Sequence, residues 1–154
     1  MACLPMIDEA LGGTFVAALL LTGSAAGAEA AVMEGIRLME RNGDESEMLM
    51  QRTMAASIAA KVSRRESAEH RHAESLLPLE LRRVLRLSRD FRRCFVLRAL
   101  AGLSREVCAH LLQIEIHLID ELGCASARAL ASVPAYLPDD VAARWECAEA
   151  ASGR

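Results

Sequence analysis

Apolar residues recur along this chain at steps of three and four, the period of helices that bury one face. Residues 7–21 place Ile7, Ala10, Leu11, Phe15, Ala18, Leu19 and Thr22 on one such face, and a second helix over residues 28–41 would bury Ala31, Val32, Gly35, Ile36 and Met39. Asn42-Gly43 ends that helix, because both residues tolerate the left-handed conformation favoured at helix C-termini. A third helix over residues 45–65 presents Met48, Leu49, Met54, Ile58 and Val62, with its methionines read as core filler. The period fails between residues 63 and 78, where almost no large apolar residue occurs before Leu76, and it resumes at Leu79. The pattern therefore predicts an all-α fold of two small helical domains, 1–65 and 79–133, joined by a linker over 66–78. Residues 134–154 follow as a tail or short helix.

The second domain has the finer grain. Its stretch from Arg89 to Ala131 reads as helix, glycine break, short helix, tight turn and longer helix, which is a helix-turn-helix layout. Gly102 closes the first helix, Ser104 caps the next through a backbone N–H, and Val107, Leu111, Leu112, Ile114, Ile119 and Leu130 supply the apolar centre. If residues 79–101 form one continuous helix, Arg82, Arg86, Arg89 and Arg93 line up opposite Val84, Leu85, Phe91 and Phe95; a bend near Ser88 would break that stripe.

Charge changes the picture. The net charge is only −3, yet residues 1–60 hold three basic against eight acidic side chains, residues 61–109 twelve against six, and residues 110–154 three against seven. A basic block between acidic ends suits an acidic partner, or the chain's own acidic segments. The second helix of a helix-turn-helix normally enters the major groove, where cations neutralise phosphate. Here, from Ile114 on, Glu115, Asp120 and Glu121 precede the first cation, Arg128.

Candidate chemistry is sparse. Five cysteines, Cys3, Cys94, Cys108, Cys124 and Cys147, form no CxxC pair, which argues against a disulfide framework or a zinc ribbon and for a reducing, cytoplasmic setting. Cys108, His110, His117 and Cys124 match no common zinc spacing, so no metal or other cofactor is expected. No nucleophile–base pair or phosphate-cradling glycine loop emerges, so the chain is not read as an enzyme. The apolar run before Gly23 is too short to span a membrane, and the Asp8 and Glu9 ahead of it oppose an export signal.

Two segments, in order, resemble the extracytoplasmic-function sigma factors of bacterial RNA polymerase. Leu21-Thr22-Gly23, Ala28-Glu29, Val32 and Glu34 are similar to that family's polymerase-binding region; Phe95, Leu97, Arg98, Gly102-Leu103-Ser104, Glu106, Ala109, Leu112, Ile114 and Ile119 look like its promoter-reading module. The resemblance implies a sigma-like transcription protein that binds the polymerase core through Leu21, Thr22, Glu29, Val32 and Glu34. Arg82, Arg83, Arg86, Arg93, Arg98, Ser104, Arg105, His117 and Arg128 would then be the DNA-facing candidates. The departures point to weakened reading of duplex DNA: residues 47–65 lack the aromatics that hold unstacked bases, Gln113 stands at the usual turn glycine, and Asp120, Leu122, Ala125 and Ala127 fall at positions the family commonly makes basic. The alternative expectation is an adaptor on the same fold that binds an anti-sigma or other regulatory protein and no DNA.

Overall fold

The computed structural model describes residues 4–43, 48–60 and 66–132, and these are helical with no strand among them. Helices α1 (Leu4–Thr22), α2 (Ala25–Asn42) and α3 (Met48–Ala59) pack on one another; α4 (Glu66–Leu76) and the short α5 (Leu79–Arg82) follow. A 3-10 turn, Arg83–Arg86, leads to α6 (Arg89–Phe95), which runs on as a π-helical turn, Val96–Leu100; α7 (Arg105–Leu112) and α8 (Ile116–Ser132) complete the described chain.

The α1–α2 corner is built from its own side chains. Gly23 takes a positive φ of 69°, Thr22 Oγ1 donates to the Ala18 carbonyl at 2.8 Å, and Ser24 Oγ accepts from the Gly27 N–H at 3.0 Å. The latter satisfies one of the donors that a helix start leaves free, so α2 begins three residues earlier than its apolar pattern suggests. At its other end Gly43, with φ 66°, closes α2 as expected and donates to the Met39 carbonyl. Where α2 crosses α3, Gly35 lies against Thr53: a Cβ added there would sit 3.1 Å from the Thr53 backbone nitrogen.

The second half of α1 differs from the one-faced helix its spacing suggested. Ala17, Ala18, Leu19, Leu20 and Leu21 are all buried, while Phe15 is only half-buried and Ala10 is exposed. A helix that is apolar all round belongs in the centre, and here α1 meets α2 and α3 on one side and the Val96–Leu100 turn and α6 on the other. Val32 and Ile36 of α2 are half-buried at the edge of this contact.

Residues 66–78, expected as a linker, carry α4. Its Ala73 and the following Leu77 are buried in one apolar cluster with Leu19 and Met54 of the first three helices and with Val84, Leu97, Cys108 and Ile119 of the later ones. Polar side chains hide this role in the sequence, with His72 and Ser75 exposed beside Ala73. The polypeptide also bends at Leu87-Ser88, where Leu87 takes an extended φ of −65° and ψ of 148°. The bend parts Arg82 and Arg86 from Arg89 and Arg93, so the single arginine stripe does not form.

Candidate helix-turn-helix interface

Helices α6, α7 and α8 follow one another along the chain, and α8 packs on both α6 and α7. Gly102 (φ 64°) ends the Val96–Leu100 turn, and Ser104 Oγ accepts from the Val107 N–H at 3.3 Å to start α7. The Glu106 carboxyl in that first turn is held below its ordinary range by its own backbone N–H and by the Ser104 hydroxyl. Gln113 then adopts the left-handed conformation (φ 55°, ψ 43°), its N–H reaching the Ala109 and His110 carbonyls. The chain turns and α8 begins at Ile116. Cys108 and Ile119 are buried between the two helices, with Leu130 further along, while Val107, Leu111, Leu112 and Ile114 are half-buried.

The exposed face shared by α7 and the start of α8 is acidic and largely self-engaged. Arg105 Nη1 donates to Asp120 Oδ2 at 2.9 Å, joining the start of α7 to the second turn of α8. That hydrogen bond also raises the Arg105 pKa above its ordinary value. Both side chains are about half exposed (51% and 52%), so the pair adds little to stability but satisfies the guanidinium. His117 Nδ1 lies 3.2 Å from Glu115 Oε2. Glu121 is exposed beside them, and the next cation along α8, Arg128, is exposed two turns further on.

The remaining arginine candidates are scattered. Arg82 Nε donates to the Leu77 carbonyl at 3.1 Å, closing the chain between α4 and α5. Arg83 is half-buried, with its Nε lacking a hydrogen-bond partner. Arg86 is exposed. Arg98 Nη1 donates to the Leu103 carbonyl at 2.6 Å and so braces the loop before Ser104. The structure thus gathers Arg98, Ser104 and Arg105 near one corner, and leaves Arg82, Arg83 and Arg86 on a separate turn.

Arg93 sits apart, lining a cleft of about 410 Å³ between α6, the α7–α8 turn and α8. Leu112, Ile114, Leu118 and Leu122 form its apolar wall. Asp90 and Arg93 stand on the α6 side and Glu121 on the α8 side. Partial burial pulls the Arg93 guanidinium below its ordinary pKa, and Arg89 nearby pulls in the same direction. Sequence reading missed this cleft, because its walls come from three elements up to 35 residues apart.

Of the polymerase-binding candidates, Leu21 is buried and Thr22 is tied into the corner. Val32 is half-buried, and Glu29 is exposed. Glu34 accepts two hydrogen bonds from Arg37, both at 2.9 Å, which hold its carboxyl below the usual range. The accessible face of α2 is instead Ala26, Glu29, Ala30, Met33 and Arg37, with Met33 65% exposed.

Among the described residues no cluster of His, Cys, Asp or Glu could hold a metal ion, and no helix is long and apolar enough to cross a membrane. The chain matches no protein-family model, no curated protein and no solved structure.

Proposed function

We propose that the protein is a non-enzymatic, cytoplasmic transcription protein of the sigma type that docks on RNA polymerase core and whose reading of promoter DNA is weakened or altered. The observation that supports this reading is the pairing of Arg105 with Asp120 across the tight turn that joins α7 to α8, an order of elements a helix-turn-helix frame would have. The frame is the one a major-groove reader uses. Its phosphate-facing charge, however, has been turned inward or replaced by carboxylates. Duplex binding normally rests on several neutralised phosphates, and Glu115, Asp120 and Glu121 would each oppose them.

A second reading, an adaptor that meets a basic protein through this face, is favoured by the same three carboxylates and by the hydrogen bonds that occupy Arg98 and Arg105. One pair of measurements separates the two. Fluorescence anisotropy with labelled duplex DNA at low salt, alongside capture of purified polymerase core by the tagged chain, should give core binding with weak, salt-sensitive DNA binding under the sigma reading. Capture of no core would refute that reading, and absence of DNA binding at every salt concentration would leave the adaptor.

A further inference from the structure

We infer that the cleft between α6 and α8 is the surface through which two copies of this chain pair, the Glu121 of each copy meeting the Arg93 of the other. At about 100° per residue, α8 presents in order around its circumference the exposed Glu121, then a half-buried strip of Leu118, Leu122 and Ala125, then the buried Ile119, Ser126 and Leu130. Helix α6 lies on the buried side of that order, since Cys94 Sγ of α6 donates to the Ile119 carbonyl at 3.5 Å. The strip is therefore the apolar floor of the cleft, with Glu121 on its outer edge and Arg93 on its α6 edge. Arg93 is half-buried, and neither it nor Glu121 forms a hydrogen bond or ion pair among the described residues. With Arg89 close by and a single Asp90 opposing them, the α6 edge stays cationic.

A contact between identical copies about a two-fold axis needs a surface complementary to itself, and an apolar floor between an anionic and a cationic edge is one. A two-fold axis parallel to α8 sets strip against strip, exchanges the two edges and keeps height along the helix. Arg93 and Glu121 line the same cleft and so stand level with each other. Glu121 of one copy therefore comes beside the partner's Arg93, and the reverse contact forms at the other edge. An antiparallel pairing of the two α8 helices would instead place like edges together, Glu121 against Glu121, so charge selects the parallel arrangement. Asp120 lies about 100° further round α8, which keeps the Arg105–Asp120 pair outside the contact. This pairing is independent of the transcription reading.

Sedimentation velocity over a concentration series at low salt tests this on the full chain. The wild type should pass from one chain to two as concentration rises. Arg93→Glu alone and Glu121→Arg alone each set like charges at both edges, and each should weaken association by roughly tenfold or more, with far-UV circular dichroism unchanged. Mixing the two single variants restores opposite charges at both contacts, and the mixture should recover the dimer that neither variant forms by itself; this recovery also shows that both variants are folded. A wild type that stays a single chain at every concentration would overturn the inference and leave the cleft to a different protein or a small apolar ligand. Association that survives either single reversal would place the contact on another surface and overturn it as well, as would a mixture that fails to recover.

Discussion

Gln113 is the one described residue other than glycine with a positive φ, and replacing it by glycine should stabilise the protein. A left-handed backbone costs an L-residue about 1–2 kcal/mol, which glycine does not incur. Glycine in turn loses more chain entropy on folding, about 0.5–1 kcal/mol. The difference leaves a gain of about 0.5–1 kcal/mol, or roughly 1–4 °C in melting temperature for a chain of this size. The Gln113 side chain is exposed and makes no hydrogen bond among the described residues, so its removal should add no separate cost. Urea unfolding followed by far-UV circular dichroism provides the measurement, with Gln113→Ala as control. Alanine keeps the left-handed penalty and should fall within about 0.5 kcal/mol of the wild type. Destabilisation by Gln113→Gly, or an equal gain from Gln113→Ala, would show that the turn is not strained and that the backbone argument fails.

Three further outcomes are expected. Gly35→Ala should destabilise by about 1–2 kcal/mol net, because overpacking against the Thr53 backbone outweighs the helix propensity gained; a more stable variant in thermal melts would refute the close crossing. Burial pushes the Cys108 thiol up to about 11, above the ordinary thiol value reached on unfolding. The folded state therefore holds the proton more tightly, and the stability this contributes is complete below about pH 9 and is lost as pH rises toward 11; urea midpoints that stay flat between pH 8.5 and 10.5, chosen as roughly the span of that titration, would contradict it. Asp120→Lys with Glu121→Lys should strengthen duplex DNA binding and steepen the log–log salt dependence by about 1.8, at about 0.9 for each phosphate gained; unchanged binding would mean that this face does not approach DNA.

The helices were legible where local chemistry sets them. Asn42-Gly43, Gly102 and Ser104 act within a few residues of their own position, and each ends or starts a helix where its type requires. The pattern misled where burial is decided by distant partners. The AALLL run of α1 reads as one face plus excess, and only the packing of α6 and the Val96–Leu100 turn on its far side shows that every position is inside. Ala73 looked like part of a polar stretch because a small residue carries little hydrophobic signal, yet it sits where two groups of helices meet. The arginine stripe depended on an unbroken helix, and extended backbone at Leu87 removed it. At the candidate interface, the acidic character of α8 was legible residue by residue. The link between Arg105 and Asp120 spans fifteen residues and needed the turn geometry to be seen.

The interface separates two properties that a DNA reader combines. Its frame rests on Cys108, Ile119 and Leu130 in the centre, the Ser104 cap and the Gln113 turn, none of which depends on the sign of the surface charge. Exposed substitutions on such a frame usually cost less than about 0.5 kcal/mol. The frame therefore tolerates charge of either sign on the exposed face of α8. Phosphate repelled by Glu115, Asp120 and Glu121 leaves a surface with the same shape but a preference for basic ligands. Salt alone cannot distinguish these partners, because screening weakens both kinds of attraction. The sign of the competitor can: a polycation should displace a partner held by α8, whereas a polyanion should displace one held by Arg86 and Arg128.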